Sequence, residues 1–266
     1  MIEFSRIINE TIKNGTCIVL VTVVGVQGSA PQKIGAKMLV SSNGKILWGT
    51  VGGGTIEELA KNQAKIQIQQ RKPLLKEYEL TEEGVNATGM ICGGNMTLFF
   101  DLLGTSTNVY IFGAGHISQQ IVPLLTKLGF SCRVIDDRYD YLRESFPNAE
   151  SSQLITGKLP QIIDTIEFIP RSYVIIMTYS HELDEKILKH LLTNKIEEAK
   201  ELAYMGMIGS KRKVKEVFDR LISDGIDSDI LDTIHAPIGI QIGSQTPEEI
   251  SISIAAELIK IRNEME

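Results

Sequence analysis

Cysteine is scarce in this chain. Its 266 residues include three, Cys17, Cys92 and Cys132, and no C-x-x-C spacing joins any pair. An odd, wide-set count builds neither a disulfide framework nor a zinc knuckle. Three isolated thiols also cannot furnish the four-cysteine sets of two iron–sulfur clusters. A cysteine that matters here acts alone, as a thiolate or a soft metal ligand. Long apolar runs are missing as well. The longest, Cys17 to Val26, is about half of a membrane span and reads as a buried strand. The first 15 residues, MIEFSRIINETIKNG, hold acids and amides where a signal peptide has its apolar stretch. A cytoplasmic protein without a membrane span is therefore expected. An excess of basic charge is absent too: 27 Lys plus Arg face 33 Asp plus Glu, a net charge of −6. That argues against a generic nucleic-acid face.

The remainder is ordinary for a globular chain, with 43% apolar and 23% charged residues, which excludes disorder as the main state. No internal repeat or low-complexity tract is present. Phe4, Ile7, Ile8 and Ile12 share one helical face, predicting a helix over 3–14. Lys37–Ser41 and Ile46–Gly49 flank Asn43-Gly44, a hairpin signal. Gly52, Gly53 and Gly54 precede a helical pattern to Arg71, and Thr55 with Glu58 fits a capping box. Strands near Lys76–Leu80 and Asn95–Leu102 complete a first domain, 1–103, expected as α+β with a mostly antiparallel sheet. Residues 104–108 read as a polar linker. From 108 to 266 strands alternate with helices: strands at Val109–Phe112, Ser131–Asp136, Tyr173–Met177 and Leu202–Ile208, helices at Gly115–Leu128, Leu183–Leu192 and Lys211–Leu221. That rhythm predicts an α/β, Rossmann-like parallel sheet with helices on both faces. A last helix should start at Thr246-Pro247-Glu248-Glu249 with a capping box and run to Arg262.

Several motifs could carry chemistry. Val109 to Ser118 reads strand, tight turn, helix, with Gly113 and Gly115 in the G-x-G positions and Ser118 in place of the third glycine. Gly113 makes the turn, Gly115 admits a diphosphate, and the helix start supplies free N–H groups. Asp136, about 20 residues on at the next strand's end, favours a ribose with free hydroxyls. Ser118 should loosen helix–strand packing slightly. Gly209-Ser210-Lys211 opens a second helix with basic residues opposed to its dipole, which suggests an anion site. His116, His181 and His235 follow strand ends and could share a metal or proton-transfer site at the carboxyl edge. His190 lies on a helix and is expected to be exposed. Glu57, after the glycine run, could act as a general base or simply complement the helix start. Cys92, before Gly93-Gly94, would be a loop thiol among free N–H groups. Cys17 and Cys132 sit in strand patterns and are expected in the core.

In order along the chain, these pieces resemble the XdhC/CoxI family, accessory proteins for maturation of molybdenum hydroxylases such as xanthine dehydrogenase. The first-half segments are Gly28-Ser29-Ala30-Pro31, Gly35 to Val40, Gly49 to Glu57, and Cys92-Gly93-Gly94. In the second half they are Phe112 to Ile117, Met177 to Asp184, Tyr204 to Arg212, Ile234 to Gly239, and Thr246 to Glu249. Some members carry Cys after the glycine run, where this chain has Thr55.

The resemblance implies a factor that binds the molybdenum–pterin cofactor, as molybdopterin or its dinucleotide form. It also implies help in sulfurating the cofactor and inserting it into an apo molybdenum hydroxylase of the xanthine dehydrogenase type. On that reading Cys92, with Glu57 and His116, would do the chemistry, Cys92 being the metal ligand. Gly52, Gly53, Gly54, Cys92, Gly93 and Gly94 would hold the molybdenum–pterin end. Gly113, Gly115, His116, Asp136, His181, Ser210 and Lys211 would hold a phosphate or nucleotide. A cysteine desulfurase would be a further partner. Apolar helices at both ends suggest a homodimer. The expected role is a cofactor-maturation chaperone rather than a catalyst. The alternatives are an NAD(P)-dependent oxidoreductase, against which stands the absence of a Tyr-x-x-x-Lys pair, and a regulatory module using the fold as scaffold.

Overall fold

A computed structural model describes residues 2–13, 17–80, 93–104, 107–150 and 153–265. They fall into two compact units, divided between Ser106 and Thr107.

The first unit opens with α1 (Ile2–Lys13) and continues with β1 (Ile18–Gln27), β2 (Lys37–Ser41), β3 (Ile46–Gly49), α2 (Gly54–Gln70), β4 (Leu74–Glu79) and β5 (Asn95–Leu103). The strands form one sheet in the order β3-β2-β1-β5-β4, every neighbour antiparallel. β1 is central because its β-branched residues alternate: Val19, Val21 and Val23 are fully buried. They meet Ile56, Ala60 and Ala64, an i, i+4, i+8 stripe on α2. The capping box expected at Thr55 is not what starts α2. Gly53 is its N-cap, with φ 72 and no side-chain cap of its own. A glycine at positive φ lets the chain enter the helix two residues early, and Glu57 rather than Glu58 reaches back to the Gly53 N–H (3.0 Å). Glu58 pairs with Lys61 instead.

The second unit contains β6 (Thr107–Phe112), α3 (His116–Lys127), β7 (Phe130–Asp136), α4 (Tyr139–Ser145), β8 (Leu154–Thr156), β9 (Tyr173–Ile176) and α5 (His181–Thr193). After these come α6 (Ile196–Lys200), β10 (Tyr204–Met207), α7 (Lys211–Ser223), α8 (Ser228–Leu231) and α9 (Pro247–Met265). The sheet order is β8-β7-β6-β9-β10, all parallel, so the strand order reverses between β6 and β9. Every residue of β6, β9 and β10 is buried, as a sheet covered on both faces requires. Tyr110 and Phe112 point to the face packed by Ile187 and Leu191 of α5 and Val217 of α7. Val109 and Ile111 point to the face packed by Ile121 and Leu125 of α3 and Leu258 of α9. The capping box at α9 forms as expected: the Thr246 N–H donates to Glu249 (3.1 Å) and the Glu249 N–H to Thr246 Oγ1 (3.3 Å). Among the described residues no helix is long and apolar enough to cross a membrane.

Candidate functional site at the carboxyl edge of the parallel sheet

In an open parallel sheet, ligands bind beyond the carboxyl ends of the strands, where the order reverses. Here that place lies between the loops after β6 and β9. Gly113 makes the first turn at φ 110, and a Cβ there would stand 2.3 Å from the Met177 carbonyl oxygen. No larger residue fits, because the β6 and β9 loops touch at that point. Gly115 differs. Its φ is −67 and its ψ −175, ordinary extended backbone, and a Cβ would meet nothing within 4 Å. Neither conformation nor packing calls for glycine there. What remains is open space in front of the first turn of α3, whose N-cap makes no side-chain hydrogen bond. A helix start with free N–H groups and clear access suits a phosphate or diphosphate. Ser118 does not loosen this turn. It is buried, and its hydroxyl donates to the Gly113 carbonyl oxygen, so it ties the helix to the turn.

Asp136 ends β7 but offers no free oxygen to a ribose. One oxygen accepts from the Ala114 N–H (2.8 Å) and from Arg138 Nη2 (2.7 Å). The other accepts from the Arg138 N–H (3.0 Å) and Nε (2.9 Å). Burial pushes the carboxyl up, but these donors outweigh it and hold Asp136 below the ordinary carboxylate value. Arg138 belongs to none of the motifs picked out by spacing. Its guanidinium lies between two rings, 4.3 Å from the centroid of Tyr141 and 4.4 Å from that of Tyr179. The Tyr179 hydroxyl donates to Asp137 Oδ2 (3.0 Å), bridging the loops after β9 and β7. The second oxygen of Asp137, Oδ1, is buried without a partner. Such an oxygen costs free energy unless a donor reaches it. Asp137 thus keeps one unpartnered carboxylate oxygen, where Asp136 has none. The Asp-Asp-Arg run at a strand end was the available signal.

The β9 loop is braced by Asp184, which accepts from the Thr178 N–H (2.8 Å) and Oγ1 (2.7 Å); burial raises its carboxyl. His181 starts α5, with Nε2 2.6 Å from Lys213 Nζ, which joins the β9 and β10 loops. Ser210 caps α7 by accepting from the Lys213 N–H (3.4 Å), while Lys211 is exposed on its first turn. His116 is exposed on the first turn of α3.

The three histidines do not form one metal site. His235 pairs with Glu257 (3.3 Å) instead. Among the described residues no group of three His, Cys, Asp or Glu could hold a metal ion. His190 is not exposed as expected: its side chain is 13% accessible and lies 2.7 Å from Asp164, which a 3-10 turn at Gln161–Thr165 carries across to it.

The first unit has its own glycine-rich edge. The end of β1, the end of β3 and the start of β5 bring three segments together there. A Cβ on Gly52 would meet Pro31 Cγ at 2.6 Å, and one on Gly94 would meet the Ser29 carbonyl oxygen at 2.4 Å. Gly93 pairs with Leu80, its N–H 2.8 Å from that carbonyl oxygen. Cys92 itself lies outside the described residues. Glu57 braces the Thr50–Gly53 loop, accepting from the Thr50 hydroxyl and the Gly53 N–H. Burial pushes its carboxyl up, yet these bonds prevail and hold it low, which makes it a weak base as placed. Cys132 is buried and its thiol is pushed up to about 12 by burial. Cys17 is only partly buried, and burial raises its thiol too. Both are protonated at neutral pH.

A family profile described as XdhC Rossmann domain matches residues 109–258, and one described as XdhC and CoxI family matches residues 11–79. Protein YqeB of Escherichia coli K12 is 30% identical over 241 residues, covering 91% of this chain and 43% of YqeB. The chain thus spans less than half the length of that relative. A Bacillus subtilis protein, named as a probable component of xanthine dehydrogenase, is 24% identical over 98% of both chains. A solved Bacillus halodurans chain named a xanthine dehydrogenase shares the fold at a TM-score of 0.52 and 21% identity, over 98% of this chain and 96% of that one.

Proposed function

From the premise that this chain belongs to the XdhC and CoxI family, we propose that it is an accessory factor for a molybdenum hydroxylase of the xanthine dehydrogenase type. It binds the molybdenum–pterin cofactor and assists its sulfuration and insertion into the apo-enzyme, with a cysteine desulfurase as sulfur source. The observation that carries the ligand class is Gly115. A glycine that neither φ nor packing requires, in front of an uncapped helix start, leaves room for a phosphate-bearing ligand.

The residues fit the tail of such a cofactor. The first N–H groups of α3 would hold its phosphate. Lys211 and His181 supply positive or donating groups at the same sheet edge. The glycine-rich edge of the first unit, with Cys92 as a thiolate, is proposed for the molybdenum end, thiolate being a suitable soft ligand. When bound, the cofactor supplies the molybdenum centre that the client enzyme needs. The chain's own part is to hold it and keep it from water.

The test is anaerobic calorimetric titration of the protein with molybdenum cofactor and, separately, with NAD. Cofactor binding lost in Cys92→Ala and in Gly115→Asp, with weak or no NAD binding, supports the proposal. NAD binding alone, unchanged in Cys92→Ala, favours an NAD(P)-dependent oxidoreductase. The observation in favour of that second reading is again the glycine turn before α3, at the carboxyl edge where the strand order reverses.

A further inference from the structure

The opposite, amino-terminal edge of the parallel sheet holds a cavity of about 450 Å³. It opens beside the start of β10, and its walls are mostly apolar: Leu192, Leu202, Ala203 and Ile230 contribute, with Tyr204 and His235. Its volume is that of a small-molecule site. The glycine turn of α3 lies at the other edge, so this cavity has no part in the proposed cofactor site.

Lys200, Asp229 and Thr233 add polar groups to these walls, and His235 adds an imidazole held in a defined orientation. The His235 ring stacks on Tyr204, centroids 4.5 Å apart and planes tilted by 32°. Its Nδ1 lies 3.3 Å from Glu257 Oε1. The other oxygen of Glu257 accepts from the Tyr204 hydroxyl and from the Gly239 N–H (2.8 Å). A carboxylate so placed fixes the imidazole orientation and keeps the proton on Nδ1, which leaves Nε2 as an acceptor. No described residue donates to Nε2, and the side chain is 35% accessible.

The fold does not require an imidazole at this position. Residue 235 serves the sheet through its backbone: its N–H donates to the Met205 carbonyl oxygen (2.9 Å) and its carbonyl accepts from the Met207 N–H (3.0 Å). An apolar side chain would complete the same bridge. We propose that this cavity binds a small flat molecule with an apolar body and one N–H or O–H donor, which His235 Nε2 accepts while Tyr204 and Glu257 hold the ring in place.

The probe is 4-cyanophenol, compared with its methyl ether, 4-methoxybenzonitrile, which has the same body and no donor. Binding to the full chain is followed by ¹⁵N NMR at neutral pH. The expected result is saturable binding of the phenol. Amide shifts should centre on Ala203 and Thr233, with a shift of the His235 Nε2 signal. The ether and the His235→Phe variant should each bind about tenfold more weakly, the worth of one hydrogen bond. Filling the cavity with Ala203→Trp should abolish binding. Equal affinity for phenol and ether, unchanged binding by His235→Phe, saturable shifts centred elsewhere, or no saturable binding would each overturn the proposal. The ether comparison needs no variant, so misfolding of Ala203→Trp leaves the outcome decided. The readouts are separate from cofactor titration, and failure of either proposal leaves the other standing.

Discussion

Gly52, Gly53 and Gly54 in the first unit sit at φ 139, 72 and 56, where other residues are strained. Gly115 in the second unit sits at φ −67, where any residue is at ease. Gly94 and Gly113 are held by a third constraint, a neighbouring backbone so close that a Cβ would come within 2.4 and 2.3 Å of a carbonyl oxygen. All of these glycines look alike in a sequence. In the structure the first set shapes a loop, the pair permits contact between segments, and Gly115 leaves space in front of a helix start. Glycine density alone therefore says little about a ligand. A glycine that nothing in the protein requires says much more.

The comparison can be broken by substitution. The largest effect is expected for Gly113→Val, which combines φ 110 with a clash on Met177. It should cost about 4 kcal/mol, read by chemical denaturation, or prevent folding. Gly94→Ala should cost about 2–3 kcal/mol, because backbone rather than a flexible side chain stands in the way. Asp136→Asn should cost about 2 kcal/mol at neutral pH, since it weakens the pairing with Arg138.

That last loss depends on pH. Asp136 is held below its ordinary value, so its stabilisation is fully present above about pH 3.9 and fades as pH falls through the lower folded value. The gap between wild type and Asp136→Asn should close on acidification, and a constant gap would contradict the pairing. Gly53→Ala should cost about 1.5 kcal/mol, because φ 72 with ψ 176 is a conformation that glycine alone adopts readily. Gly115→Ala, the smallest, should change stability by less than about 0.5 kcal/mol, yet weaken a phosphate-bearing ligand measurably in calorimetry. A Gly115→Ala variant as unstable as Gly53→Ala would erase the distinction between the two regions.

Much of this was legible in the residues. Alternation in β1, the hairpin at Asn43-Gly44, the strand–turn–helix at Gly113 and the box at Thr246 are local signals, carried by spacings of a few residues. The strand–helix rhythm after residue 108 was enough for a parallel sheet. The misreadings share one cause. Thr55 looked like a cap because the pattern fits, but the positive φ of Gly53 moved the start and gave the role to Glu57. Asp136 looked free because its partners could not be seen: Arg138 two residues away turns back on it, and Ala114 reaches it from 22 residues upstream. Asp164 reaches His190 across 26 residues, and Glu257 reaches His235 across 22.

The two-part architecture, the kind of sheet in each part and the positions of the glycine turns are written in the residues themselves. These follow from periodicity and backbone preference, which act over one or two turns of chain. Which acid keeps an unpartnered oxygen, which glycines leave space and which histidine lines a cavity came from the packed fold. Those depend on what distant segments bring against a side chain. The strand order that juxtaposes β6, β7, β9 and β10 is set by packing of the whole sheet.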